Sequence, residues 1–318
     1  MFSYIAFAAS AGCSRSSGKG GPGDTAGIPA GNIVRIQAPV APPCIPLVSL
    51  PQGQGVQVIW YKSMNEATQR IIEGKADVSI IPVNSMALLY NKGVQVQLGA
   101  VSTWGILYLV SGDPGVREWK DLKGKSVAVG ARGFSPDLVF RGLLLKNGLK
   151  AGEDVNVFYG TSSEIAQMVV AGKLLLAVLP EPLLTSVLAK NGQVKIIMNL
   201  EQEWEKAFPE IRGLPQAGLA VSKKFVQEQP AAWQQFSRNY AQSLEAYVEN
   251  PEKIGPQEEK VFDLPAEIIK QSLDRSSLKF QSGRESIESV HRYLSQIQLI
   301  DPDAIGGKVP DKEGDFYL

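Results

Sequence analysis

The sequence predicts an α/β protein of two lobes, each a mostly parallel sheet flanked by helices, joined by two hinge crossovers. Three observations carry this. One module is written twice: residues 71–84 read IIEGKADVSIIPVN and residues 169–182 read VVAGKLLLAVLPEP, aligned without a gap, with Gly74 on Gly172, Lys75 on Lys173 and Pro82 on Pro180. Strand and helix patterns alternate through both halves, as in parallel sheets covered on both faces. Two Gly/Pro-rich segments, Ser111-Gly112-Asp113-Pro114-Gly115 and Arg212-Gly213-Leu214-Pro215-Gln216, flank the second half. Two such lobes leave a cleft suited to a small molecule.

The elements follow in order. Asn32 to Ala38 is a strand that ends in the Pro-rich loop PVAPPCIP, and Gly55 to Trp60 is a second strand. Met64, Ala67, Thr68, Ile71 and Ile72 share a helical face, with Gly74 as its C-cap glycine. Val78 to Ile81 is a short buried strand, and Pro82 opens a helix running to Asn91-Lys92-Gly93. Val96 to Val101 and Ile106 to Val110 are further strands.

The second half repeats this grammar. Ser126 to Val129 is a strand, and Ser135-Pro136-Asp137 reads as an N-cap with proline in the first turn. Val155 to Phe158 is a strand, Ser162 or Ser163 caps the next helix, and Leu175 to Leu179 is the second copy's strand. Pro180 starts a helix ending near Lys190-Asn191-Gly192, and Val194 to Ile197 closes this half. The layout expected is lobe 1 at 32–112 plus 216–318 and lobe 2 at 113–215. Helices after Lys223 pack back on lobe 1, one of them through a core stripe of Trp233, Phe236, Tyr240, Leu244 and Tyr247.

Composition narrows the chemistry. Lys plus Arg and Asp plus Glu number 32 each, so no net charge draws the chain to nucleic acid. No stretch reaches the roughly 20 apolar residues of a membrane span. The chain has two cysteines, Cys13 and Cys44, and one histidine, His291, which flanks the apolar stripe of a late helix. Metal and Ser-His or Cys-His chemistry are poorly supplied, and no metal or cofactor is expected.

Residues 2–12 are apolar and small, Cys13 follows, and a Ser/Gly-rich tract comes after it. The order resembles a bacterial lipoprotein leader (1–13) with a flexible tether (14–31), Cys13 being the lipid attachment site. Ser10 stands where leucine is usual, and no basic segment precedes the apolar part.

Asp121-Leu122-Lys123-Gly124-Lys125 leads into the strand SVAVG. With Gly133-Phe134-Ser135, Asn147-Gly148-Leu149, the Gly-Lys module at 172–179 and Glu181-Pro182, it resembles the solute-binding proteins of ABC importers. The branch it is most similar to is the nitrate/sulfonate/taurine and thiamine-precursor one. The resemblance implies a type II periplasmic-binding-protein fold, a small-molecule solute held between the lobes, and an importer permease and its ATPase as partners. Two departures stand out. The Asp of the family's GK-x-D pattern is kept as Asp77 but is Leu175 in the second copy. The loop Pro42-Pro43-Cys44-Ile45-Pro46 is also richer in proline than a sulfonate or nitrate site suggests.

In open α/β sheets ligands bind beyond the strands' carboxyl ends, where helix N-termini direct free N–H groups. This singles out Pro43 and Cys44, Asn84 and Ser85, and Trp104 in lobe 1, and Gly133, Phe134, Ser135, Thr161 and Glu181 in lobe 2. Asn84, Ser85 and Ser135 serve equally well as caps, and Trp104 and Phe134 as packing residues. A cleft-facing Glu181 would select a basic or heteroaromatic solute, whereas Arg132 would favour an anion. The leading reading is an extracytoplasmic, monomeric solute-binding protein, lipid-anchored or periplasmic, that delivers its solute to an ABC importer and is not an enzyme. The alternatives are a carboxylate-dependent lyase or biosynthetic enzyme on the same fold, with Glu181 or Asp137 as base, and a lipoprotein sensor.

Overall fold

The computed structural model describes residues 33–50 and 55–318, so the expected leader, the tether and Cys13 lie outside the described residues. The chain begins with β1 (Val34–Ala38), a 3-10 turn (Pro42–Cys44), α1 (Pro46–Ser49), β2 (Val56–Trp60) and α2 (Met64–Ile72). Next come β3 (Val78–Pro82), α3 (Val83–Asn91) and β4 (Val96–Gly105). α2 starts where Ser63 accepts a bond from the Glu66 N–H. It stops at Gly74, whose φ of +64° disfavours any other residue. Its buried face holds Ala67 and Ile71, while Ile72, expected on that face, is 63% exposed because the next 100° step carries it outward.

The chain continues through β5 (Leu107–Ser111), β6 (Ser126–Val129), α4 (Ser135–Lys146), β7 (Asn156–Tyr159), α5 (Ser162–Val170) and β8 (Leu176–Pro180). It then forms α6 (Leu183–Lys190), β9 (Lys195–Asn199) and α7 (Leu200–Ala207). The last part holds β10 (Ala217–Ser222), α8 (Lys223–Glu228), α9 (Pro230–Glu249), α10 (Pro256–Phe262), α11 (Ala266–Asp274), β11 (Ser277–Ser282) and α12 (Ile287–Ile300).

Two sheets result: six strands in the order β11-β4-β10-β3-β1-β2, and five in the order β7-β6-β8-β5-β9. In each, the strands linked by helices run parallel and the remaining pairings are antiparallel. The sheets are therefore mixed where alternation alone suggested mostly parallel ones. β5 and β10 arrive from the other sheet without a crossover helix, and nothing obliges them to run parallel.

β5 also moves the expected lobe boundary. It pairs with β8 and β9, and Ile106 alone separates it from β4. The first crossing is thus at Ile106 and not near Asp113, which sits in a turn accepting bonds from Gly115 N and Lys125 Nζ. The return segment runs alongside the first: Leu214 N donates to Trp104 O and Gln216 N to Thr103 O.

The two copies of the repeat part at their ends. Both prolines close their strands, but Pro82 is also the N-cap of α3, whereas α6 starts only at Leu183, after a cis Glu181–Pro182 bond. At the other end of the module, Asp77 accepts from Arg35 N and pairs with its guanidinium at 2.6 Å. Leu175 in its place is 53% exposed.

The apolar stripe of α9 covers one face of the first sheet with Ile36 and Ile80, and α5 and α6 cover one face of the second. A third cluster spans both sheets. It joins Ile81 and Met86 to Leu138, Leu143 and Trp204, and includes Val290, Tyr293, Leu294 and Ile297 of α12. α9 packs on the first sheet as expected, whereas α12 lies against both α3 and α4. Each such buried side chain contributes about 1.5–3 kcal/mol, so the lobes share apolar cement along one side of their junction.

Candidate functional site

The junction is best built from the helices that begin at it. Pro82, as N-cap of α3, has no side-chain acceptor. Val83 N donates to Gln216 O of the return strap at 3.0 Å. Asn84 and Ser85 come next in the first turn, and both are buried. The Asn84 Nδ2 lies 3.4 Å from Gly133 O and 3.4 Å from Ala304 O. Two carbonyls fix the amide's orientation, leaving its Oδ1 as an acceptor with no hydrogen-bond partner among the described residues.

α4 begins differently from the sequence expectation. Phe134 is the N-cap, without a side-chain bond, and Ser135 is the first helical residue. Its Oγ lies 3.3 Å from Gln216 Nε2, which donates to it. Asp137 explains the shift. Its carboxylate accepts from Gly133 N at 2.8 Å and from Tyr159 OH at 2.9 Å, folding the loop over the helix start. Gly133 takes φ +80° to allow this. Arg141 Nη1 lies 3.3 Å from Asp137 and 3.1 Å from Asp301. Arg141 Nη2 donates to Ile300 O, at the C-terminus of α12, where a cation is favoured. Burial and the Asp137 bond push the Tyr159 phenol up to about 12.

Asn84, Gly133 and Ser135 are therefore linked where α3 and α4 begin, through the Asn84–Gly133 contact and through Gln216, and Ser85 and Phe134 adjoin them in sequence. Glu181 adjoins the same crossing, since its N–H donates to Ile106 O and the Ile106 N–H donates to Gln216 Oε1. Its buried carboxylate accepts from Thr185 N at 3.1 Å and Thr185 Oγ1 at 2.9 Å. Burial pushes its carboxyl up to about 7 against those bonds and the nearby Arg275. Arg275, between α11 and β11, donates to Thr185 Oγ1 at 3.0 Å, and Tyr108 OH donates to Arg275 O at 2.6 Å. These bonds tie the first sheet's last turn to α6.

The other singled-out residues lie elsewhere. Pro43 O accepts from Tyr240 OH at 2.6 Å. Cys44 is a free thiol buried in the α9-side core, where burial raises its pKa. Trp104 packs on Gly213 behind the hinge, and its Nε1 donates to Lys279 O. Thr161 is the exposed N-cap of α5, in place of Ser162 or Ser163, and shares a capping box with Glu164.

Gln216, Thr185, Arg275 and Tyr108 were not singled out as site residues. A polar side chain just after Gly-Leu-Pro at the return strap was a usable signal for Gln216; the run Asp274-Arg275-Ser276 offered none. Among the described residues no group of three or more His, Cys, Asp or Glu could hold a metal, and no helix is long and apolar enough to cross a membrane. Surface cavities of about 610 Å³ beside Phe158 and Met168, and about 480 Å³ beside Ile72 and Lys92, lie away from the α3–α4 junction.

Comparison with known proteins adds a family. The model of a family described as "ABC transporter, phosphonate, periplasmic substrate-binding protein" matches residues 49–259. Among solved structures, an ABC transporter protein of Parabacteroides distasonis is similar with a TM-score of 0.75 and 24% identity, covering 90% of this chain and 99% of that one. The periplasmic aliphatic sulphonate binding protein SsuA of Escherichia coli is similar with a TM-score of 0.75 and 15% identity, covering 91% and 93%. The periplasmic nitrate-binding protein NrtA of Synechocystis PCC 6803 gives 0.60 and 14%, covering 86% and 81%. At these identities the structural likenesses speak to the fold, which they share. No curated protein sequence matches.

Proposed function

The chain belongs to the periplasmic substrate-binding proteins of ABC transporters, and from that premise we propose that its solute is held where α3 and α4 begin. The family consists of transport components that capture a small solute for an importer, not of enzymes, so Glu181 and Asp137 are not needed as catalytic bases. In this reading the lobes are 33–105 with 217–318, and 107–211. They turn about Ile106 and the strap at 212–216. Asn84, Ser85, Gly133, Phe134 and Ser135 contact the solute.

The observation that supports this best is the Asn84–Gly133 contact, which links the first turn of a lobe 1 helix to the loop entering a lobe 2 helix. A solute seated there touches both lobes, so the closed arrangement is the one it stabilises. Opening the hinge separates those groups and admits the solute. The mature protein is a monomer tethered to the membrane by a lipid on Cys13, with the importer's permease and ATPase as partners.

The test is a thermal-melt screen of the full chain against small organic solutes. A solute at 100 times its Kd adds about 2.7 kcal/mol of stability. Asn84→Ala and Ser135→Ala should abolish that gain; because Asn84→Ala also leaves Gly133 O and Ala304 O without this donor, the gain is read against each variant's own unliganded midpoint. Binding unaffected by both substitutions would remove the site from this junction. For the anchor, Cys13→Ser should release the protein from membranes.

A further inference from the structure

The electrostatics of this junction constrain the solute, an inference that rests on the site proposed above. An oxyanion bound at helix starts needs N–H groups and positive potential directed at it. Many of those donors are missing or spent here. After β1, Pro42, Pro43 and Pro46 have no N–H, while Cys44 N donates to Ala41 O at 2.8 Å and Ile45 N to Pro42 O at 3.2 Å. Before α4, Gly133 N is held by Asp137 and Phe134 N by Ala131 O, and Pro136 has no N–H. Before α6, Glu181 N donates to Ile106 O at 3.0 Å and Pro182 has none.

The starts of both α4 and α6 also carry a buried carboxylate, Asp137 at 0% and Glu181 at 1% exposure. Each occupies the positive end of a helix dipole that would otherwise draw an anion. Arg141 is committed to Asp137 and Asp301, and Arg275 to Thr185 Oγ1 and Gln271 O. Arg132, beside Gly133, is exposed, where a charge pair contributes about 0–1 kcal/mol.

α3 presents a different pair of groups. Its first-turn N–H groups at Asn84 and Ser85 have no acceptor within the helix. Beside them the Asn84 Oδ1 is a buried acceptor without a hydrogen-bond partner. Two donors beside one acceptor match an amide-like edge, in which a C=O that can accept from both N–H groups stands next to an N–H. An oxyanion set against the Oδ1 opposes acceptor to acceptor and leaves it unpaired, at about 1–3 kcal/mol.

We propose that this protein takes an uncharged solute bearing an amide-like edge, a carbonyl acceptor beside an N–H donor, and discriminates against phosphonates, sulfonates and nitrate.

A metabolite extract split by ion exchange tests this on the full chain. One fraction is retained by an anion exchanger, and the other passes through both anion and cation exchangers. Ethylphosphonate, ethanesulfonate and nitrate are run as defined probes at matched ionic strength. The unretained fraction should raise the melting midpoint saturably in the native protein and not in Asn84→Ala, with Asn84→Ser as the substitute should the alanine variant not fold. A saturable rise with the retained fraction or any oxyanion probe would overturn the selectivity while leaving solute binding intact. An equal rise in the Asn84 variant would also overturn it, since the solute would not be reading that amide. No response to either fraction would overturn the site and this inference together.

Discussion

Glu181→Gln should stabilise the protein at alkaline pH and destabilise it at acid pH. The carboxylate is buried, and its hydrogen bonds come from the neutral groups of Thr185, with the guanidinium of Arg275 one bond further away. Its carboxyl is raised from the ordinary 4.5 to about 7. A raised carboxyl pKa means the folded state holds its proton longer than the unfolded chain does. Stability is therefore unpenalised below about 4.5, falls as pH rises, and carries the full cost above about 7. At about 1.4 kcal/mol per pH unit, that cost is roughly 3 kcal/mol. Glutamine removes the charge but presents an NH₂ where the carboxylate accepted from Thr185 N or Oγ1, losing a bond of about 1 kcal/mol. The variant should be about 2 kcal/mol more stable at pH 8 and about 1 kcal/mol less stable at pH 4.5. Unliganded melting midpoints across that range read the crossover. Parallel pH profiles for the two proteins would refute the reasoning, because they would mean that Arg275 or penetrating water already neutralises the site.

Two further outcomes follow from the same contacts. Asp137→Ala strips Gly133 N and Tyr159 OH of their acceptor and leaves Arg141 with Asp301 as its carboxylate partner, so denaturant unfolding should show a loss of about 3–5 kcal/mol. Phe316→Ala should cost about 3–5 kcal/mol in the same assay. Its ring is fully buried against Tyr90 and Tyr317, and its carbonyl holds Leu98 N at 2.7 Å.

What the sequence made legible was local. The stripe from Trp233 to Tyr247 packs as its spacing demands, and Gly74 and Gly93 stop their helices with positive φ. Capping was harder, because an oxygen's role depends on its competitors. Ser135 has the composition of a cap, but Asp137 reaches back to Gly133 N and leaves the serine to Gln216. Ser162 and Ser163 also have the composition of caps, whereas the box with Glu164 selects Thr161. At the proposed site, the sequence pointed to Asn84, Gly133 and Ser135 one by one as helix-start positions, but not to the contacts between them. Those contacts depend on how the second lobe is turned against the first.

The repeat nevertheless held information about that turn. It equates α3 with α6, yet Asn84 at the start of α3 has its contact with Gly133 before α4. What the repeat does mark is the hinge. Pro82 pairs in register with Ala217, the first residue of β10, and Pro180 pairs with Leu107, the first residue of β5. Both partners are the first strand residue after a crossing between sheets. Each copy of the module thus ends where a strap enters its sheet, beside the strand it supplies. A lobe turning about the straps moves the helix that follows each proline the least distance and the far strands the most. In the proposed reading, this sets the first turn after Pro82, where Asn84 sits, close to the axis of the motion.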